Sequence, residues 1–345
     1  MTARSAMTAV LREMGVTAWT IVAVAIFGSA LLLLGQSDPW DALQVMVRGV
    51  FASKAAITET LLRFAPLAIV ALGLAPSLRL GLFNIGAPGQ IGLGALSASL
   101  IALYLPGSPY VVLPLCGLAG ALGGALAAFV PGILRARLNV NEILSTLVFN
   151  FLILLLLQYL LTGPLHGYRA NLPQSDPLPV ETWLPLLVPG TRAHIGLLLV
   201  PVAFLAALAA NAGPVGYRMR MLGASASLGR QAGLDQRRYV LVAICTAGAA
   251  AGIAGWMQTA GVDHRLYATV AAPMGYTGLF AALVGRLSPI GILASSFVFA
   301  ALLRGGDSLQ IGADVSPEIV DALIGLIMLV MAMGAAGRGR ARQYA

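Results

Sequence analysis

Apolar runs, most of them long enough to cross a bilayer, recur along the entire chain, near residues 17–35, 58–78, 83–105, 110–134, 141–162, 194–211, 239–261, 274–286, 288–303 and 318–335. Roughly 20 apolar residues in a helix span the ~30 Å hydrocarbon layer. In lipid every backbone N–H and C=O must be satisfied by the protein itself, so such runs fold as helices. The pattern predicts an all-α polytopic membrane protein with about ten transmembrane helices, some broken or re-entrant. The 274–286 segment is too short for a comfortable crossing and reads as a half-helix supported by protein. Charged residues make up only 10% of the chain, against about 25% in soluble domains, too few to wet a soluble body of this size. A soluble enzyme, a disulfide-stapled secreted domain and a DNA-binding factor are excluded. The spans leave no room for a separate soluble domain, so residues 1–345 read as one domain.

The 21 basic and 13 acidic residues give a net charge of +8. The basic residues lie between the apolar runs rather than along one face, which points to membrane orientation and not to nucleic acid. With a cytoplasmic N-terminus, 14 basic residues fall inside and 7 outside. That asymmetry predicts an even number of crossings and both termini in the cytoplasm. It places the Pro-rich connection 163–193 outside and the 213–238 connection, with five arginines, inside. The first run follows Arg4 and Arg12 as a signal peptide would. It is longer than a typical apolar core of one and lacks a clear cleavage site before Gln36, so it is expected to remain as a helix.

Several chemistries are absent. A phosphate-binding loop needs Gly-Lys-Ser/Thr, and the one lysine, Lys54, stands between Ser53 and Ala55. His166, His194 and His264 lack metal-ligand spacing. Cys116 and Cys245 sit within apolar runs as packing residues. No metal, no cofactor and no catalytic group is expected. An ion-coupled carrier usually buries carboxylates or histidines in its spans, and the span centres here carry almost none. Glu59 and Arg63, four apart, are expected to pair on one helix face.

Amides supply the polarity that remains. GLFNIGAPGQIGLGAL (81–96) sets Asn84 and Gln90 around Gly86, Pro88 and Gly89. This reads either as a helix broken to form a site for a neutral, hydrogen-bonding solute or as a kink for close packing. NVNEILSTLVFNFLILLLLQYL (139–160) adds Asn141, Asn150 and Gln158. Asn141 begins the run and caps it, whereas an unsatisfied amide at Asn150, nearer the middle, would be costly. Gln258 lies near the end of the 239–261 run. Asn84, Gln90, Asn150, Gln158 and Gln258 are the candidates for lining a path.

FNIGAPGQ (83–90), NEILSTLVFN (141–150), GLDQRRYVLVAICTAGAAAGIAG (233–255) and GYTGLFAALVGRLSPIGILASSFVFAALLRGGDSLQ (275–310) occur in that order. Together they resemble the permease subunits of ATP-binding-cassette importers of the branched-chain amino acid, simple-sugar and nucleoside type, most closely the nucleoside and simple-sugar branch. The resemblance covers about residues 55–335. It implies a bacterial cytoplasmic-membrane permease with three kinds of protein partner: ATPase subunits, a second identical or paralogous permease, and an extracytoplasmic solute-binding protein. Many relatives carry Glu where this chain has Pro88, so the solute could differ. The rival reading is an ion-coupled secondary transporter acting alone.

If energy arrives from a partner, the inner connection is where it enters. The spacing predicts a short amphiphilic helix over 223–235, entered and left at Gly223 and Gly233. Ala224 and Ala226 would allow close approach to the ATPase, and Arg230 and Asp235 would offer polar contacts at the rim.

Overall fold

The computed structural model describes residues 25–30, 32–33, 37–168, 170–271, 274–313 and 315–343. Residues 25–30 and 32–33, within the first apolar run, are helical, and the rest of that run lies outside the described residues. Twelve further α-helices follow: α1 (Pro39–Phe51), α2 (Lys54–Arg79), α3 (Ala87–Tyr104), α4 (Pro109–Leu138), α5 (Glu142–Thr162), α6 (Leu199–Ala212), α7 (Pro214–Ala224), α8 (Ala226–Gln231), α9 (Gln236–Gln258), α10 (Met274–Val284), α11 (Pro289–Gly312) and α12 (Pro317–Gln343). Among the described residues there is no β-strand, only two isolated bridges.

Among the described residues, seven helical segments are long and apolar enough to cross a membrane: α2, α3, α4, α5, α6 with the turn before it, α9 with the turn after it, and α11. Helix α10, with 11 residues, is shorter than a span, in line with the half-helix reading. The chain divides into two compact units, residues 1–63 with 297–345, and residues 64–296.

In the larger unit, α3, α4 and α9 pack backbone to backbone. Gly120 and Gly124 on α4 meet Gly248 and Gly252 on α9, four residues apart on each helix. A Cβ on Gly252 would overlap the Gly120 carbonyl, and one on Gly94 of α3 would overlap the Gly252 Cα. Small residues at this spacing let helices approach closely, which in lipid replaces the hydrophobic drive available in water. Outward faces stay apolar: on α5, Leu144, Phe151, Leu155 and Tyr159 are exposed while Asn150, Ile153, Leu157 and Leu161 are buried.

The 163–193 connection is an ordered cap. Ser175, Leu178 and Leu184 donate backbone N–H groups to the carbonyls of Leu266, His264 and Ala260 at 2.9, 2.9 and 3.0 Å. Trp183 stacks on His264 with ring centroids 3.8 Å apart. His194 is buried and accepts from the Gly196 N–H at Nδ1. Its burial, with His264 nearby, pushes it down to about 4, so it is uncharged at neutral pH. These histidines tie the cap together.

In the smaller unit the expected Glu59–Arg63 pairing gives way to another. Arg63 forms its ion pair with Asp307 of α11. An interhelical carboxylate offers better geometry than the i,i+4 neighbour, whose two long side chains must both be held along one helix. Helix α1, not foreseen from the sequence, packs Gly49 against Ser308 of α11 and exposes Trp40, Leu43, Val47 and Phe51 as an apolar stripe. Asp38 caps it by accepting from the N–H groups of Trp40 and Asp41 at 2.8 and 3.0 Å.

Candidate functional site

The FNIGAPGQ segment is not a break inside a span. Helix α2 ends at Arg79, residues 82–86 run without helical structure, and α3 starts at Ala87 with Gly86 as its N-cap. Pro88 falls in the first turn of α3. There its missing N–H removes no helical bond, so it starts a helix instead of kinking one. Gly86 and Gly89 let α5 come close: a Cβ on Gly86 would sit 3.0 Å from the Thr146 carbonyl oxygen, and one on Gly89 2.9 Å from the Asn150 Cα.

Asn84 and Gln90 face each other. Asn84 Nδ2 donates to Gln90 Oε1 and Gln90 Nε2 donates to Asn84 Oδ1, both at 3.0 Å. Asn84 Oδ1 also accepts from the Gly86 N–H at 3.1 Å. Both amides are buried. One unhelical stretch and the first turn of α3 are therefore held together by a reciprocal amide pair. The Ile85 N–H donates to Thr146 Oγ1 at 3.3 Å, joining this corner to α5.

Asn150 is different. Its Nδ2 donates to the Tyr276 hydroxyl of α10 at 3.0 Å, while its Oδ1 is buried with no partner. A buried carbonyl left unmatched costs about 1–3 kcal/mol. Tyr276 is 42% exposed. The pair thus combines an unmet acceptor with a half-exposed tyrosine whose hydroxyl bonds the same amide. Tyr276 escaped the sequence reading, although it stands in the GYTG stretch at 275–278. Gly275 presses against Pro88, which brings the start of α10 to the start of α3.

The two other glutamines stand apart from this pair. Gln158 is on the exposed face of α5. Gln258 Nε2 donates to Asp263 Oδ1 at 3.1 Å across the π-turn Thr259–Asp263. Among the described residues no cluster of His, Cys, Asp or Glu could hold a metal ion.

The 213–238 connection holds two helices instead of the single helix expected at 223–235. Helix α7 covers Pro214–Ala224, and α8 covers only Ala226–Gln231, begun by Ser225, whose hydroxyl accepts from the Leu228 N–H at 3.4 Å. Gly223 is no entry turn: it lies in the last turn of α7, where a Cβ would overlap the Arg79 carbonyl. Gly233, at φ +74°, does make the exit turn. Asp235 caps α9 by accepting from the Arg237 N–H at 3.0 Å. Ala224, Arg230 and Asp235 are exposed, and so is Leu228, an apolar side chain on a polar surface. Arg79 donates to the Leu287 carbonyl of the α10–α11 turn. Helices α2, α7 and that turn therefore meet at one corner.

The family profile described as "Branched-chain amino acid transport system / permease component" matches residues 56–332. Among curated proteins, the chain is 33% identical over 328 residues to the glucose ABC transporter permease protein TsgB13 of Haloferax volcanii, covering 92% of this chain and 86% of the relative. It is 28% identical over 315 residues to the guanosine ABC transporter permease protein NupP of Bacillus subtilis, covering 88% and 89%. It is 27% identical over 314 residues to the nucleoside ABC transporter permease protein NupB of Lactococcus lactis, covering 88% and 86%. No solved structure matches the chain.

Proposed function

Since the chain belongs to the branched-chain amino acid transport system/permease component family and is an ABC transporter permease subunit, we propose that it lines the path by which an importer carries a nucleoside or simple sugar. What supports the solute class is the unmatched Asn150 Oδ1 beside the Tyr276 hydroxyl. Ribose and hexose hydroxyls are donors that match such an acceptor, and no carboxylate stands at Pro88 to demand a charged partner. The relatives named for glucose, guanosine and nucleosides favour the same class. Asn150 and Tyr276 contact the solute, Asn84 and Gln90 fix the wall behind them, and Gln158 and Gln258 face other stretches of the route. Uptake of labelled guanosine, adenosine and glucose, compared in cells with and without the chain, tests this. Loss of one of these activities supports the reading, and loss of branched-chain amino acid uptake alone would overturn it.

The chain works as one permease domain of ten crossings in a bacterial cytoplasmic membrane, paired with a second permease. Two ATPase subunits lie inside and a solute-binding protein outside. Leu172 in the outer connection and Arg230 in the inner one are both exposed. With Cys116 and Cys245 replaced, Leu172→Cys should react with an impermeant thiol reagent in intact cells, and Arg230→Cys only once the membrane is opened. The reverse pattern would invert the topology.

The corner formed by α7, α8 and the Arg79–Leu287 contact receives the movement of the ATPase, with Ala224, Leu228 and Arg230 at the docking face and Gly223, Gly233 and Asp235 shaping it; the side chain of Ala226, expected at the same face, lies outside what the structure describes.

A further inference from the structure

A cleft of about 340 Å³ opens between α2, α6 and α9 and the start of α11. Its walls are apolar, built by Ile69, Leu72, Ala203, Ala207, Ala250 and Ile253, and its lining ends on Arg79. On α2 the lining runs from Ile69 to Arg79, about 15 Å of helix at ~1.5 Å per residue. That is half of a ~30 Å hydrocarbon layer, the depth of one leaflet. Helix α6 buries only Val200, so the cleft is not sealed by tight helix packing on that side. Water gains little in such a space, because it needs several polar partners. The Thr246 hydroxyl already donates to the Val242 carbonyl.

The arginine end has the opposite character. Arg79 spends one Nη on the Leu287 carbonyl, and Arg220 donates from Nη1 to the Asn211 carbonyl and Oδ1 at 3.0 and 2.8 Å. Arg220 stands three residues before Gly223, which packs against the Arg79 carbonyl, so the two like charges share one corner and repel. Among the described residues neither Arg79 nor Arg220 is paired with a carboxylate: Arg63 takes Asp307 and Arg135 takes Glu142. Arg79 ends a leaflet-deep apolar slot and Arg220 is bonded to Asn211, next to the lining residue Ala210; this is what a lipid phosphate with its acyl chain complements. Basic pockets between helices on the cytoplasmic side bind anionic head groups by this charge attraction.

We propose that this cleft seats one acyl chain of an anionic phospholipid, with the phosphate held between Arg79 and Arg220. The lipid fills a space that would otherwise separate α6 from the bundle and discharges the arginine pair beside Gly223. The test is native mass spectrometry of the full chain, purified in detergent, stripped of lipid and titrated with phosphatidylglycerol or phosphatidylethanolamine of identical chains. The unaltered protein should bind the first roughly five- to tenfold more tightly, because the ammonium of phosphatidylethanolamine offsets its phosphate charge and is itself repelled by the arginine pair. Arg220→Gln and Arg79→Gln should each remove that preference. Ala207→Phe, on the sparsely packed α6, should fill the cleft and lose both lipids. Equal binding of the two lipids by the unaltered protein, unchanged binding by Ala207→Phe, or no saturable site at all, as when a helix of a partner subunit occupies the cleft, would overturn the proposal.

Discussion

Gly252→Leu should leave almost no folded protein in the membrane. A side chain there has no room, because its Cβ already overlaps the Gly120 carbonyl and would lie 3.0 Å from the Gly124 N. The obstacle is backbone on the facing helix, which cannot rotate away as a side chain tip can. Overpacking a core costs about 1–3 kcal/mol when neighbours adjust and more when they cannot, and total stability is only about 5–15 kcal/mol. Helices α4 and α9 would have to separate, and α3, whose Gly94 closes on Gly252, would follow. Membrane abundance measured by immunoblot and the elution profile in detergent check this. A leucine variant with normal abundance and a monodisperse profile would show that the three-helix contact does not hold the bundle. Gly325, whose added Cβ meets nothing within 4 Å, provides the control: Gly325→Ala should be silent.

The second large effect separates two amides that look alike in sequence. Asn84→Leu should reduce abundance and uptake together, because it strands Gln90 in a buried site at a cost of about 1–3 kcal/mol. Replacing both partners, Asn84→Leu with Gln90→Met, should recover part of the lost abundance, since Gln90 is no longer stranded and only the Gly86 N–H loses its acceptor. Asn150→Leu should behave otherwise. It removes an acceptor that no protein group uses and one hydrogen bond to the half-exposed Tyr276, so abundance should largely hold while uptake falls. Tyr276→Phe should reproduce the uptake loss. If Asn150→Leu and Asn84→Leu lose abundance equally, Asn150 is only a structural amide and the solute contact lies elsewhere.

Length and polarity decide what could be read in advance. The runs at 110–134, 141–162 and 239–261 correspond to α4, α5 and α9 to within a few residues, because a bilayer-spanning helix must be apolar along its whole length. Asn141 caps α5 as expected, accepting from the Ile143 and Leu144 N–H groups at 2.9 and 3.3 Å. Helices α1 and α7 were invisible because they need not cross lipid. Asp41 and Arg48 break the apolar run of α1, and Arg218 and Arg220 that of α7, so neither reads as a span. The amide pair was half legible: Asn84 and Gln90 stood out as polar residues in an apolar setting. That they bind each other depends on the unhelical 82–86 stretch folding back over the first turn of α3, which spacing alone does not specify. Pro88 misled for a related reason, since the same residue kinks a helix from within and starts one from its first turn. Gly223 looked like a turn residue, yet its role is close approach to Arg79.

In the proposed function this chain is a passage driven by a partner's ATP hydrolysis. Proteoliposomes containing the chain with its co-purified partners, loaded with ATP on the side of the 213–238 connection, test it directly. Labelled nucleoside or sugar presented on the opposite side with the solute-binding protein should accumulate only when ATP is present. Leu228→Asp, at the proposed docking face, should abolish both accumulation and ATPase co-purification while the chain's abundance is unchanged. Accumulation that proceeds without ATP and collapses when an ion gradient is dissipated would contradict the account.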